Sequence, residues 1–256
     1  MAQIKAIACE VMRDEWSQVN ASEIETIFLE QGLHRYPEKL HGELQAALDR
    51  LNDGDIVLVG YGLCSNALKG IQAGNKTLVL PLVEDCIGLF LGSAAEYLVQ
   101  FNREPATYYF TKGWVVAGKD PYQEYLKSCE RWGQEDAEWI AHETMKNYRR
   151  AVYVDTHCYD IAEYRNYAER FASFFGLKLE DLSGSLDFFR QILSGKWDRC
   201  LVINPGEEIS VDRFREAMAR QARLTTELSF QSGALEAAVD VDQSAGLGRR
   251  PIRRSE

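Results

Sequence analysis

The feature of this sequence that most constrains its fold is a series of short, mostly apolar runs bounded by turn residues. The first three are I-K-A-I-A-C at Ile4–Cys9, D-I-V-L-V-G at Asp55–Gly60 and T-L-V-L-P at Thr77–Pro81. Apolar runs without strict alternation are typical of strands that helices cover on both faces, as in a parallel sheet. Further runs of this kind predict strands at Thr107–Phe110, Ala151–Asp155 and Cys200–Ile203.

Between these runs, apolar residues recur at helical spacing. Leu40, Leu44 and Leu48 follow Pro37 at intervals typical of an amphipathic helix. Ser22 predicts an N-cap with Glu25 as its capping-box partner, and hence a helix through Ile24, Ile27 and Phe28. Five more helices are predicted at Asp85–Phe101, Tyr122–Tyr148, Ile161–Phe175, Ser183–Leu193 and Val211–Leu228. The alternation predicts an α/β fold with a mostly parallel, Rossmann-like, doubly wound sheet and helices on both faces.

The chain length limits the domain count. With 256 residues, the chain suits one large α/β domain or two small lobes. We predict one α/β domain over residues 1–231, with two similar lobes at 1–118 and 119–231 as the alternative. Residues 232–256 are rich in Gly, Ser, Asp and Arg without periodic apolar positions, which predicts a disordered tail.

Composition argues against several classes of partner. A net charge of −10 disfavours nucleic acid, because its phosphates are bound by clustered Lys and Arg. The apolar runs are shorter than the roughly 20 residues that span a bilayer, and the first residues are typical of a strand rather than a signal peptide. We therefore expect a cytoplasmic protein. In that compartment its six cysteines are expected to be buried, reactive or metal-bound rather than paired in disulfides.

Three of these cysteines fall at the ends of predicted strands. Cys9 closes the first strand, Cys64 follows the second in G-Y-G-L-C-S-N, and Cys86 follows the third in E-D-C-I-G. Ligands of open parallel sheets bind beyond the carboxyl ends of the strands, so the three thiols are expected to converge if these strands are neighbours. Three thiolates would suit Zn²⁺ with an open fourth position, or an iron–sulfur cluster. The spacing does not decide between the two, and it lacks the C-x-x-C pairs typical of such sites.

A structural role for the same thiols is the alternative, since a free cysteine often behaves as a small buried apolar residue. Cys129 and Cys200 are interpreted that way. For the other three, Gly60 and Gly62 around Tyr61 favour a site, because they allow the backbone to turn tightly and approach a ligand. Polar residues also surround the predicted crevice, which is unusual for a purely apolar core. They are Glu10, Asn66, Glu84 and Asp85.

Other signals are weaker. His157 and Cys158, in D-T-H-C-Y-D after the fifth predicted strand, are either a second set of ligands or loop residues without a metal. Ser93, in L-G-S, is either a hydrogen-bond donor to a ligand or a small residue at a helix contact. The sequence has no G-x-G-x-x-G after a strand, no P-loop and no G-x-S-x-G elbow.

Five segments resemble the family catalogued as domain of unknown function 1638. They are G-Y-G-L-C-S-N at 60–66, D-C-I-G-L-F-L-G-S at 85–93, T-Y-Y-F-T-K-G-W at 107–114, N-Y-R-R-A-V-Y-V-D at 147–155 and L-V-I-N-P-G-E-E at 201–208. The resemblance covers most of the chain except the tail. It implies a role in one-carbon metabolism, because members of this family tend to be encoded beside corrinoid proteins and cobalamin-dependent methyltransferases.

The resemblance also implies that the family's cysteines fall on Cys9, Cys64 and Cys86. One position departs from the pattern: Glu84 stands where the family often has His before Asp-Cys. If that His is a metal ligand, this protein has either changed its ligand set or lost the metal. Glu84 is the candidate replacement, since Zn²⁺ also accepts a carboxylate.

The leading interpretation is therefore a metal-binding protein of methyl-group or corrinoid metabolism. Zinc or an iron–sulfur cluster is held by Cys9, Cys64, Cys86 and Glu84, with Glu10 or Asp85 as proton acceptor. Cofactor contacts are expected from Tyr61, Gly62, Asn66, Ser93, Tyr109 and Trp114. The expected partner is a corrinoid protein or methyltransferase, which would supply the corrinoid. Two alternatives remain open: a non-catalytic accessory protein that holds a cofactor or metal for an enzyme, and a metal-free thiol enzyme.

Overall fold

The computed structural model describes residues 3–64 and 66–224, and they form two sheets surrounded by helices. The predicted tail at 232–256 lies outside the described residues, as does the end of the helix predicted at Val211–Leu228, of which residues 211–224 are helical. The strands are β1 (Ile4–Cys9), β2 (Glu25–Leu29), β3 (Ile56–Gly60), β4 (Thr77–Pro81), β5 (Thr107–Phe110), β6 (Arg150–Asp155), β7 (Lys178–Ser183) and β8 (Cys200–Ile203).

The larger sheet has five strands in the order β2-β1-β3-β4-β8. β1 pairs in parallel with β2 and β3, and β3 pairs in parallel with β4. The expected adjacency of the first three predicted strands is therefore confirmed. β8 is antiparallel to β4 at one edge, with Pro81 opposite Cys200. The smaller sheet is parallel throughout, in the order β5-β6-β7.

Helices cover the sheets because the central strands are apolar on both faces. Ala6, Ile7 and Ala8 of β1 are fully buried. Two short 3₁₀ segments lie at Glu10–Met12 and Gln31–Arg35. The α-helices are α1 (Arg13–Val19), α2 (Pro37–Asp49), α3 (Ile87–Phe90), α4 (Ala94–Arg103), α5 (Lys112–Ala117), α6 (Pro121–Trp132), α7 (Gln134–Met145), α8 (Ala162–Phe175) and α9 (Asp187–Leu193). The predicted α/β class with a mostly parallel, Rossmann-like sheet is confirmed.

Two local predictions are wrong. The helix expected after Ser22 is strand β2, because Glu25–Leu29 pairs in register with β1 and sheet pairing outweighs the capping-box signal. The helix predicted at Ser183–Leu193 begins only at Asp187, and Ser183 instead ends strand β7, which the sequence did not predict. Its polar residues suit the exposed edge of the smaller sheet.

Glycines divide two of the predicted long helices. Gly92, with φ of +80°, separates α3 from α4, and Gly133, with φ of +84°, separates α6 from α7. A left-handed backbone cannot continue a right-handed helix, and glycine adopts it without a steric penalty. Each predicted helix therefore becomes two.

The carboxyl ends of the two sheets face each other. Gly113, just after β5, lies so close to the turn after β1 that a Cβ there would be 1.8 Å from the Val11 carbonyl oxygen. Ser185, just after β7, donates its backbone N–H to the Phe90 carbonyl oxygen at 2.9 Å. Only glycine fits at position 113, so the sequence itself permits this close contact between the sheets.

Aromatic packing completes the contact between the sheets. Phe90 of α3 lies edge-on to Trp114 of α5 at 5.4 Å between ring centroids, and to Phe189 of α9 at 5.6 Å. Phe189 also contacts Trp16 of α1 at 6.4 Å. These rings belong to elements that follow strands of both sheets, so one apolar cluster fixes the edges against each other. Within the described residues, no helix is long and apolar enough to cross a membrane.

Candidate functional site: a buried cysteine cluster

Three adjacent parallel strands position the three predicted cysteines at one sheet edge. Cys9 is the last residue of β1, Cys64 lies four residues after the end of β3, and Cys86 lies five residues after the end of β4. Because these strands are neighbours and parallel, their carboxyl ends meet at the same edge.

Backbone contacts hold the two longer loops together. The N–H of Leu63 donates to the Val83 carbonyl oxygen at 3.3 Å, and that of Cys64 donates to the Glu84 carbonyl oxygen at 3.0 Å. A Cβ at Gly62 would lie 2.5 Å from the Val83 oxygen, so only glycine allows this approach. The predicted importance of Gly62 thus has a concrete cause, which is the close packing of one loop on the other.

The side chain of Tyr61 is enclosed by these loops and only 2% exposed. Burial raises the pKa of the Tyr61 hydroxyl, and the neighbouring thiols of Cys9, Cys64 and Cys86 raise it further. A hydrogen bond with Cys9 also contributes to the raised pKa of Tyr61. Tyr61 therefore lies within electrostatic reach of all three cysteines.

The thiols also affect one another. Burial raises the pKa of the Cys9 thiol to about 11. Burial likewise raises the pKa of Cys64, with Asp85 and Cys9 adding to the effect, and that of Cys86, with Cys64 and Cys9 adding to it. The three thiols are therefore within electrostatic reach of one another, and their protonated forms are favoured when no cation is present.

All six cysteines are free. As they stand, the residues at 3–64 and 66–224 include no set of three or more His, Cys, Asp or Glu side chains that could hold a metal ion. The donor chemistry nevertheless suits a soft metal, since thiolates are the preferred ligands of zinc and iron–sulfur centres. Cys64 has φ of +44° and Asn66 has φ of +65°, so this loop has a strained backbone beside the cluster.

The predicted polar residues lie at the rim of the cluster. Glu10 is exposed and ion-paired with Arg13 at 3.3 Å, and the Glu84 side chain is exposed as well. Asp85 is half-buried, and its Oδ1 accepts the N–H of Ile87 at 2.9 Å at the start of α3. Burial raises the pKa of the Asp85 carboxyl.

The residues predicted to contact a cofactor lie in several different environments. Ser93 Oγ accepts the N–H of Glu96 at 3.0 Å and so caps α4, and Trp114 packs against Phe90. Asn66 is exposed beside Cys64. Tyr109 extends from β5 to the vicinity of Asp85. Burial raises the pKa of the Tyr109 hydroxyl, and the nearby Asp85 carboxylate raises it further.

Sequence reasoning missed two groups. Tyr97 of α4 lies beside Asp85 and lowers the pKa of that carboxyl, although burial outweighs this effect. Glu15 of α1 is fully buried, and its Oε1 accepts the hydroxyl protons of Thr156 at 2.9 Å and Tyr159 at 2.8 Å. No signal marked Glu15, because the charged residues Arg13 and Asp14 just before it suggest an exposed helix face.

Together, the fold and the cluster define a two-sheet α/β protein with buried thiols at the edge where its parallel sheets meet. The chain belongs to the family described as "Protein of unknown function (DUF1638)", whose model matches residues 28–193. Cys64 and Cys86 lie within the matched residues, whereas Cys9 precedes them. No curated protein and no solved structure matches the chain.

Proposed function

We propose that the chain binds zinc or an iron–sulfur cluster through Cys9, Cys64 and Cys86. The observation that carries the proposal is that Cys9, Cys64 and Cys86 follow three adjacent parallel strands at one sheet edge, around the buried side chain of Tyr61. Thiols brought to one edge in this way are the donor set that soft metals prefer.

Metal binding would change which protonation state of the thiols is favoured. Without a cation, burial opposes the thiolate forms of Cys9, Cys64 and Cys86. A bound cation reverses this preference, because coordination deprotonates a thiol. Since the thiols do not form a ready metal site, we propose that the strained loop at Cys64 and Asn66 closes toward the other two cysteines on binding.

The same pKa directions disfavour a metal-free thiol enzyme. A nucleophilic cysteine needs a thiolate near neutral pH, usually beside a cation or a histidine. Here burial raises the pKa of each thiol, and the neighbours that add to the shift are acidic groups.

We further propose that the site acts in methyl-group or corrinoid metabolism in the cytoplasm, with a corrinoid protein or methyltransferase as partner. The support is the family resemblance, together with free thiols of the kind that a reducing compartment preserves. A zinc ion, when bound, would lower the pKa of a thiol or water acceptor. Asp85, at the edge of the cluster, is the residue placed to hold a proton, and Glu10 is the exposed alternative.

The test is elemental analysis and visible spectroscopy of anaerobically purified protein. Cys9→Ser, Cys64→Ser and Cys86→Ser should each remove most of the metal, because a hydroxyl is a poor replacement for a thiolate. The matched controls are Cys129→Ser and Cys200→Ser, which should retain it. A metal-free wild-type protein, or equal losses from all five variants, would overturn the proposal.

A second comparison addresses Glu84. If it completes the ligand set, Glu84→Ala should lower the metal content and Glu84→His should preserve it. An assay of loaded protein with methyl donors and thiol acceptors then separates a catalyst from an accessory protein. Turnover supports catalysis, whereas retained metal without turnover supports the accessory role.

A further inference from the structure

A second set of chemically active side chains lies at the carboxyl edge of the smaller sheet. Asp155 ends β6, Ser183 ends β7, and the two are directly paired across the parallel ladder. His157 follows two residues after Asp155. The pairing thus brings an acid, an imidazole and a hydroxyl together from segments 26 residues apart.

The imidazole of His157 lies between the other two groups. Its Nε2 is 3.0 Å from Ser183 Oγ, and its Nδ1 is 3.1 Å from Asp155 Oδ2. Asp155 Oδ1 also accepts the backbone N–H of His157 at 2.7 Å. With the proton assigned to Nδ1, Nε2 is free to accept the hydroxyl proton of Ser183, which is the arrangement of a nucleophile, base and orienting carboxylate.

The backbone conformation of His157 is typical of a functional site. Its φ is +58°, an uncommon value for a residue with a side chain, and the hydrogen bond from its N–H to Asp155 stabilises this conformation. A strained residue held by its neighbour commonly marks a functional site. Here the strain coincides with the orientation that directs both ring nitrogens at partners.

The neighbouring thiol of Cys158 is hydrogen-bonded to the backbone instead of to the imidazole. Burial raises the pKa of the Cys158 thiol, and its Sγ donates to the Thr156 carbonyl oxygen at 3.7 Å. Ser183 is exposed, and the His157 side chain is 64% exposed. A reactant in solvent can therefore reach the hydroxyl directly.

We propose that Ser183 is the nucleophile of an acyl-transfer activity, with His157 as general base and Asp155 as the residue that positions it. The substrate class is a carboxylic ester, whose carbonyl carbon the exposed Ser183 hydroxyl can attack from solvent. Ser183 Oγ forms a bond to the carbonyl carbon and its proton passes to His157 Nε2. The ester C–O bond breaks, the leaving alkoxide takes that proton, and water then hydrolyses the acyl-serine to release the acid.

The test is labelling of the full chain with a fluorophosphonate, followed by peptide mass mapping. The serine oxygen would bond to phosphorus, fluoride would leave, and the proton would pass to His157. We expect the label on Ser183, and none on Ser194, an exposed serine whose hydroxyl donates to a backbone carbonyl. Ser183→Ala should abolish labelling.

Two variants test the roles of the partners. His157→Asn, which tolerates the left-handed backbone, should slow labelling by about 10²-fold or more. Asp155→Asn should slow labelling, because the imidazole loses the carboxylate that orients its Nδ1, and Asp155→Glu should restore part of the rate. Label spread over several serines, or a wild-type rate in His157→Asn with its circular dichroism unchanged, would overturn the proposal. The result is independent of the cysteine cluster.

Discussion

The backbone N–H of Cys64 donates to the carbonyl oxygen of Glu84 at 3.0 Å. Together with the hydrogen bond from Leu63 to Val83, it joins the loop after β3 to the loop after β4, and so brings Cys64 toward Cys86. The contact is possible because Gly62 has no side chain where the loops meet. The cysteine cluster therefore depends on backbone packing as much as on the cysteines themselves.

Gly62→Ala tests this dependence. Its Cβ would lie 2.5 Å from the Val83 oxygen and 2.8 Å from the Asp85 nitrogen, so the loops must separate. We expect a loss of about 1–3 kcal/mol in the free energy of unfolding, measured in urea. Gly42→Ala is the matched control, because that position in α2 has open space around it and should gain up to about 1 kcal/mol. Equal effects of the two changes would contradict the close packing.

Tyr61→Phe tests the buried hydroxyl beside the cysteines. The hydroxyl has the Cys9 sulfur as a weak hydrogen-bond partner, so its removal should change the stability of the metal-free protein by less than about 1 kcal/mol. Tyr159→Phe serves as comparison, since it removes the 2.8 Å hydrogen bond to buried Glu15 and should be more destabilising. Thermal unfolding of the metal-free proteins measures both. Marked destabilisation by Tyr61→Phe would mean that the hydroxyl has a stronger partner than the Cys9 thiol.

Glu15→Gln should change how stability depends on pH. Burial raises the pKa of the Glu15 carboxyl. The stabilisation from the protonated carboxyl is therefore complete below the pKa that Glu15 has in the unfolded chain. It is lost as the pH rises through the pKa that Glu15 has in the folded protein. Gln stays neutral and keeps an oxygen that accepts from Thr156 and Tyr159. The free energy of unfolding of the variant should therefore rise relative to that of the wild type as the pH increases from about 4.3, by at most about 1.4 kcal/mol per pH unit.

Urea denaturation at a series of pH values from about 4.3 upward measures how the stabilities of the wild type and Glu15→Gln change with pH. Thr156→Val is the control, because it removes one hydrogen-bond donor and leaves the carboxyl in place. It should lower stability by about 1–3 kcal/mol and retain the pH dependence. Parallel stability curves for the wild type and Glu15→Gln would contradict the shifted pKa.

Ser93→Ala separates a structural role from a cofactor contact. Because Ser93 Oγ caps α4, the change should cost about 1 kcal/mol in the free energy of unfolding and leave the metal content unaltered. Ser22→Ala is the control at a position where the sequence predicted a cap and the structure has none, and it should change stability by less than about 0.5 kcal/mol. Loss of metal from Ser93→Ala would instead support the predicted contact between Ser93 and a cofactor.

The sequence determined the parts of this protein that depend on local pattern. Apolar runs such as Thr77–Pro81 identified the buried strands within a residue or so, and the position of each cysteine after a strand end predicted that Cys9, Cys64 and Cys86 would lie at one sheet edge. The strands could be identified because burial on both faces requires continuous apolar residues, and the shared edge because parallel strands end together. A metal ion bound by the three thiols stays a prediction.

Only the tertiary structure decided which segments pair and which groups become buried. Glu25–Leu29 is a strand because β1 offers it a partner, although its own sequence suggests a helix. Glu15 is buried because Thr156 and Tyr159 arrive from residues more than 140 positions away. The same is true of Ser183, which meets His157 only through the pairing of β6 and β7. Such contacts depend on how the sheets pair and pack, and no local pattern in the sequence encodes that arrangement.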